Sequence, residues 1–184
     1  MFNVGDLIIY SGQGICHVDE ICEKTLLGEP KNYYVLHPVQ SPSLTINIPV
    51  DNDKIVMLDI VDKSEAEKII ESFKQPGVDW IGINSQRNSA YSKIVKEGNR
   101  DGIAKVINTL MRKKLAAEAK GKKLYEQDNR ILDKTQSILF AELAMSLNSS
   151  FEEISQRTTD LITESERQLN LAENFKDNFN KGFL

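Results

Sequence analysis

The sequence predicts an α+β protein, in which a small N-terminal β-barrel is followed by an all-α bundle of about five helices. Three observations lead to this prediction. The first 60 residues contain short runs in which apolar and polar positions alternate, whereas from residue 62 apolar residues recur every three or four positions. Charge divides in the same way, with a net charge of −5 over residues 1–60 and +7 over residues 86–134. We therefore expect two parts with different partners.

Four or five short strands are expected in the first part. They are predicted at residues 7–10, 15–22, 33–36 and 44–50, with residues 54–58 as the candidate fifth and turns at residues 11–14 and 27–30. Pro49 removes a backbone donor, so the fourth strand either ends there or lies at an edge of the sheet. Because a closed sheet leaves few edges exposed, we expect these strands to form a small barrel over residues 1–60.

Five amphipathic helices are expected after the barrel. Ser64 with Glu67, and Ser150 with Glu153, fit the capping boxes that begin the first and the fifth helix. Gly98 is well placed to end the second helix. The bundle is expected to cover residues 61–163, and the polar stretch 164–184 either continues the fifth helix or frays.

Several classes of protein are excluded by what the sequence lacks. No apolar run approaches the ~20 residues that a membrane helix needs, and we see no signal-peptide pattern. Cys16 and Cys22 on one extended strand would lie ~20 Å apart, too far for a disulfide. Only His17 and His37 accompany them, without metal-ligand spacing. We expect a reduced, cytoplasmic protein without metal, cofactor or membrane contact.

No group of residues predicts catalysis. The adjacent carboxylates Glu152 and Glu153 fall at a helix start, where the helix dipole favours acids. The Gly12-Gln13-Gly14 run lacks the third glycine of a phosphate-binding loop and precedes a strand. We expect the protein not to be an enzyme and to have no small-molecule substrate.

Trp80 is the most informative single residue. It lies between two predicted helices, in a stretch with glycines at 77 and 82, and basic residues follow it, most densely at 112–114. One interpretation is that it packs over the end of the bundle. The other is that it is an exposed aromatic beside a basic surface, which suits nucleic acid because bases stack while phosphates pair with cations.

The order of these parts resembles the CarD family of bacterial transcription regulators. In the first part the resemblance rests on residues 2–10 (FNVGDLIIY), 12–16 (GQGIC), 33–36 (YYVL) and 48–50 (IPV). In the helical part it rests on Arg87, Ala90, residues 98–99 (GN), 103–107 (IAKVI) and 138–144 (ILFAELA). The first part is also similar to the polymerase-interacting domain of transcription-repair coupling factor.

The resemblance implies a Tudor-like (SH3-like) barrel that binds the RNA polymerase β subunit through a sheet edge, and a helical domain that contacts promoter DNA. That domain would stabilise the open complex at the upstream edge of the melted −10 region, with a tryptophan wedged at the junction. The implied DNA-binding residues are Trp80, Arg87, Lys93, Lys105, Arg112, Lys113, Lys114 and Arg130. The implied polymerase-binding residues are Lys24, Leu44, Thr45, Ile46, Asn47, Ile48 and Pro49.

Two departures from the family pattern keep a second function open. Trp80 is separated from Gly98 by about one helical turn more than the family leads us to expect, and Asn47 stands where a relative carries a basic contact. Gln86, Ser89 and Asn129 likewise stand where basic residues are expected. The alternative is an interaction module that docks on polymerase or another protein without touching DNA.

Overall fold

The structure is a computed structural model that describes residues 1–11, 13–26, 28–52 and 55–181, with the backbone alone for residues 26 and 173–181. Five strands precede five helices, which confirms the predicted α+β class. The strands are β1 (Leu7–Tyr10), β2 (Gly14–Leu26), β3 (Glu29–Pro38), β4 (Ile46–Pro49) and β5 (Met57–Asp59). The helices are α1 (Lys63–Glu71), α2 (Asn84–Lys96), α3 (Arg100–Glu118), α4 (Glu126–Leu147) and α5 (Phe151–Lys181), and a 3₁₀ turn (Ser72–Lys74) follows α1.

The strands form one antiparallel sheet in the order β4-β3-β2-β1-β5. The expected closed barrel is wrong, because β4 and β5 are opposite edges that do not pair anywhere in the described ranges. The helical half covers the β5 edge instead. Arg100 of α3 donates to the carbonyl of Asp59, and Glu142 of α4 accepts from the Val61 amide at 3.1 Å. That edge is protected without closure, and β4 remains as the other edge.

Two hydrophobic clusters divide the core. The one beneath the sheet consists of Ile8, Cys16, Val18, Tyr34, Leu36 and Ile48. The larger one fills the bundle, where Phe73, Leu110, Phe140 and Leu143 are fully buried. Each such side chain contributes about 1.5–3 kcal/mol through burial. Both cysteines are free, Cys16 in the core and Cys22 half-buried, in agreement with the expected absence of a disulfide.

Three helix ends were predicted from the sequence: the cap at the start of α1 is wrong, and the other two are confirmed. Asp62, not Ser64, caps α1, since its carboxylate accepts from the Glu65 amide at 2.8 Å. At α5 the predicted box is confirmed by reciprocal 3.1 Å bonds between Ser150 and Glu153. Gly98 follows the last turn of α2 with φ +72°, a conformation in which a Cβ is unfavourable.

The polar stretch after residue 163 continues α5 as far as Lys181, and residues 182–184 lie outside the described ranges. So do three positions of predicted turns or strands, Gly12, Leu27 and Lys54. No helix in the described part combines the length and apolar character required to span a bilayer.

Candidate functional site

Trp80 lies in a connection that is fixed from both sides, the segment 75–83 between the 3₁₀ turn and α2, hereafter the Trp80 loop. Side chains of α2 and α3 donate hydrogen bonds to five of its carbonyls, including those of Val78, Asp79 and Ile81. The bonds to these three run from Thr109 Oγ1 to Val78 (2.7 Å), from Tyr91 Oη to Asp79 (2.9 Å) and from Arg87 Nη1 to Ile81 (2.5 Å). The loop therefore presents Trp80 from a backbone with little freedom to move.

Gly77 allows the Trp80 loop to lie directly on α3. A Cβ at this position would come 2.3 Å from both the Lys105 carbonyl and Thr109 Oγ1. The amide of the next residue, Val78, donates to the same Lys105 carbonyl at 3.4 Å. No side chain fits between the loop and the helix, so glycine sets the loop position.

The Trp80 ring is half-buried and has two cations close to it. The Arg87 guanidinium carbon is 3.9 Å from the ring centroid and Lys113 Nζ is 5.1 Å from it, while the ring also packs against the bundle core. Each interpretation of the sequence thus describes part of Trp80, since the side chain packs on the bundle and also meets a basic surface.

Arg87 is placed differently from the expectation. It is only 1 % exposed, and its Nε and Nη2 atoms donate to the two carboxylate oxygens of Asp128 at 3.0 and 2.6 Å. Nη2 also donates to Asn84 Oδ1 at 2.6 Å. The expected phosphate contact by Arg87 is therefore corrected: a guanidinium committed to these partners positions Trp80 instead. The sequence signal for Asp128, an acid in the first turn of α4, looked like an ordinary helix start.

Arg112 is also committed inside the protein. It donates to Asn108 Oδ1 at 2.7 Å, to the Phe73 carbonyl at 3.0 Å and to Ser165 Oγ at 2.8 Å. It thereby joins α3 to the 3₁₀ turn and to α5, and the expectation that it contacts phosphate is likewise corrected.

The four predicted lysines remain at the surface. Lys93, Lys105 and Lys113 are exposed and Lys114 is half-buried. Within the described ranges none of them makes an ion pair, and Lys113 lies over the Trp80 ring. Arg130 is exposed but forms an ion pair with Glu126 one turn earlier in α4.

The β4 edge presents main-chain groups in a defined pattern. The Val50 amide donates to the Asn32 carbonyl at 2.9 Å, which continues the β3–β4 register beyond the strand. Since bonded and non-bonded pairs alternate in an antiparallel ladder, Ile48 and Ile46 bond inward to β3. Asn47 and Pro49 therefore direct their main-chain groups outward, and Pro49 sits where its missing N–H breaks no internal bond.

The predicted side chains around β4 divide into surface and core. Leu44, Thr45 and Asn47 are exposed, and Lys24 Nζ donates to Asn47 Oδ1 at 2.6 Å across β3. Ile46 and Pro49 are half-buried. Ile48 is 2 % exposed and belongs to the sheet core, so its side chain cannot reach a partner and its expected role is corrected to packing.

Comparison with known families agrees with this arrangement. The family profile of the CarD-like/TRCF RID domain matches residues 2–60, and that of the CarD C-terminal domain matches residues 68–159. A Bacillus subtilis (strain 168) protein named "Putative transcription factor YdeB" is 30 % identical over 146 residues, which cover 78 % of this chain and 90 % of that protein. With both halves matched in the same order as the sheet and the bundle, the chain belongs to the CarD family.

Proposed function

We propose that the protein is a transcription regulator that binds the RNA polymerase β subunit through the β4 edge and stabilises the promoter open complex through Trp80 and the lysines beside it. The observation that carries the proposal is the Trp80 loop, whose backbone is bonded by α2 and α3 while its tryptophan lies beside Lys113. The experiments below test the polymerase contact and the DNA contact separately.

The polymerase contact is supported by the geometry of the β4 edge. An extended segment of the β subunit can pair with the outward main-chain groups of Asn47, and strand addition of this kind obtains affinity from main-chain hydrogen bonds. The exposed side chains of Leu44 and Thr45 lie at the start of that edge, and Lys24 with Asn47 adds a polar contact.

The DNA contact is supported by the pairing of an aromatic ring with free cations. An apolar wedge at the upstream junction costs unstacking energy, which binding to distorted DNA offsets. Only a difference in affinity between open and closed DNA shifts their equilibrium, so Trp80 acts by binding the open junction better. A loop that is already fixed loses little freedom on binding, which favours affinity. Lys105, Lys113 and Lys114 then neutralise phosphates around the junction.

One observation favours the alternative of docking without DNA contact. Arg87 and Arg112, two of the eight predicted DNA-binding residues, are committed to internal partners. The remaining basic set is smaller than expected, and the two proposals differ in whether the protein changes the lifetime of the open complex.

The lifetime of a promoter open complex tests the DNA contact. It is measured with polymerase alone, with the native protein, with Trp80→Ala and with Phe151→Ala, which removes another partly exposed ring that packs on the bundle. We expect the native protein and Phe151→Ala to lengthen the lifetime and Trp80→Ala to lose the effect. A native protein that binds polymerase without changing the lifetime supports docking alone, and an unchanged effect of Trp80→Ala overturns the wedge.

Two substitutions at one position test the polymerase contact. Asn47→Pro removes the outward N–H, whereas Asn47→Ala keeps that N–H and removes only the side chain bonded to Lys24. We expect Asn47→Pro to weaken binding to the β subunit at least about tenfold, and Asn47→Ala to stay close to native. Far-ultraviolet circular dichroism of both variants reports whether the sheet is intact. Native-like binding by a folded Asn47→Pro variant contradicts strand addition.

A further inference from the structure

A group of three metal-ligating side chains lies on one face of the β2–β3 hairpin. His17 and Asp19 are two residues apart in β2, and their side chains are in contact. His37 in β3 is paired directly with His17. The spacing along the chain does not reveal this group, because only strand pairing brings residue 37 beside residues 17 and 19.

The three side chains converge on one another. Asp19 accepts from His37 Nδ1 at 2.7 Å and contacts His17 Nδ1 at 3.2 Å, and the two imidazole rings are stacked with centroids 5.3 Å apart. One donor atom from each residue lies within 4.8 Å of the others. The β2–β3 register shifts between Val18 and Glu20, so Asp19 is the extra residue of a β-bulge. Bulges re-aim side chains, and this one directs the carboxylate toward both rings.

We propose that His17, Asp19 and His37 bind one divalent transition-metal ion, zinc in the first instance, with water completing the coordination. Two imidazoles and a carboxylate form a common zinc ligand set. Zinc ligands lie about 2.0–2.2 Å from the ion, which places tetrahedral donors roughly 3.4 Å apart. The donor atoms lie within 4.8 Å of one another, so side-chain rotation, with the proton of each ligating imidazole carried on its other nitrogen, can bring them to that spacing.

The charge of the site favours a cation. The Asp19 carboxylate lies against both rings and supplies a negatively charged ligand. Each neutral imidazole offers one nitrogen without a proton. The three side chains are 30–38 % exposed, which leaves a path for the ion and its water.

An ion at this position links β2 to β3 through its ligands, close to the end of the hairpin that contacts the bundle. Gly14 begins β2, and a Cβ there would lie 3.5 Å from Ile138 of α4. Because an ion that binds only the folded state raises its stability with concentration, thermal unfolding reports occupancy.

Cys22 and Glu20 also carry groups that can bind zinc, and control variants test whether they take part. Cys22 is half-buried, and its burial, followed by the charge of Glu20, raises the pKa of its thiol. A protonated thiol is a poor ligand. Cys22→Ser and Glu20→Gln therefore serve as matched controls in the same strand, and both should bind zinc as the native chain does.

The test uses the full chain freed of metal by a chelator and titrated with ZnCl₂ in a calorimeter, with thermal unfolding in parallel. We expect one ion per chain, a dissociation constant of about 10 µM or tighter, and a rise in Tm that increases with zinc concentration. Asp19→Asn keeps the side-chain shape and should weaken binding at least about tenfold, and His37→Gln should abolish it. Since the chain contains only two histidines, shifts of both imidazole NMR signals on zinc addition identify the site.

Three outcomes overturn the proposal. The first is binding that does not saturate below the millimolar range. The second is native-like binding by Asp19→Asn. The third is zinc uptake that leaves both imidazole signals unchanged. In each case the three side chains form only the hydrogen bonds already described. None of these outcomes bears on the main-chain pairing proposed for Asn47 or on the proposed DNA contact of Trp80, since neither uses the side chains of His17, Asp19 or His37.

Discussion

The Arg87 guanidinium carbon lies 3.9 Å from the centre of the Trp80 ring, while the same guanidinium is buried in an ion pair with Asp128. A cation over an aromatic face contributes about 0.5–2 kcal/mol, more when both are shielded from water. Arg87 also donates to the Ile81 carbonyl of the Trp80 loop. One side chain of α2 thus fixes both the ring and the backbone that presents it, and α4 fixes that side chain through Asp128.

This arrangement changes the part that arginine plays in the site. A buried ion pair costs desolvation and is weak evidence for stability, but it strongly disfavours any arrangement that separates its members. In the proposed DNA contact, the positive charge toward phosphate comes instead from lysines on the surface of α3. The structure thereby separates positioning, done by Arg87, from the proposed contact with DNA.

Removal of Arg87 is expected to destabilise the bundle and release Trp80. Arg87→Ala leaves the Asp128 carboxylate buried without its partner, which costs about 3–5 kcal/mol. Urea unfolding measures the loss, and a red shift in the emission of the only tryptophan in the chain reports exposure of its ring. Arg130→Ala, which removes an exposed ion pair, is the control and should change neither. Native stability of Arg87→Ala would contradict the assigned role.

The double variant Arg87→Met with Asp128→Leu separates stability from position. Replacing a buried ion pair by apolar side chains is often neutral or stabilising, so unfolding should return toward the native value. The Trp80 emission should remain shifted, because the stacked guanidinium is absent. Recovery of both stability and emission would show that ordinary packing places the ring.

Loss of Lys113 and Lys114 is expected to weaken DNA binding and reduce its dependence on salt. Each phosphate contact lowers the slope of log K against log salt concentration by about 0.9 on duplex DNA, so removal of two should reduce the slope by up to about 2. Fluorescence anisotropy with a promoter fragment between low and moderate salt measures the slope. Lys68→Ala, at an exposed position of α1, should leave it unchanged. A slope unaltered by the double substitution would remove these lysines from the interface.

Local patterns predicted the order of the elements but not the closure of the sheet. Alternation located the β4 strand and Pro49 at its end, because period and proline chemistry act within a few residues. Whether β4 and β5 meet depends on what else covers the β5 edge. The bond from Val61 to Glu142 joins residues 81 positions apart, and no local pattern encodes it.

In the candidate site, too, local patterns predicted some features and missed those that depend on contacts between distant residues. Trp80 and the surface lysines were identifiable from residue type and context, since exposed aromatic and cationic groups need no particular partner. Arg87 and Arg112 carry the same charge in the sequence, yet Asp128 and Ser165 bind them internally. Which cations are free is decided by packing between helices that are distant in the chain.

Acid is expected to weaken the contact between α1 and α5. Arg157 donates to both carboxylate oxygens of Glu67, and this hydrogen bond lowers the pKa of Glu67. A carboxylate whose pKa is lower in the folded state adds stability above its unfolded value, and that stability is lost as pH falls through the folded value. The free energy of unfolding of the native chain should therefore decrease more between pH 6 and pH 3 than that of Glu67→Gln. Equal decreases in urea titrations would contradict the contribution of this pair.

Gly98 is expected to set the distance between the sheet and the bundle, and a comparison of two glycines tests this. Gly98 and Gly121 have similar positive φ angles, +72° and +66°. A Cβ on Gly98 would come 2.7 Å from Val56 Cγ1, whereas a Cβ on Gly121 meets nothing within 4 Å. Both alanine variants carry the left-handed strain of about 1–2 kcal/mol, and only Gly98→Ala adds a clash between the two halves. The free energy of unfolding measured in urea should therefore be lower for Gly98→Ala than for Gly121→Ala. Because Val56→Ala removes the clashing methyl, the difference between the two glycine variants should shrink in that background, and a difference that persists would assign it to something other than the Val56 contact.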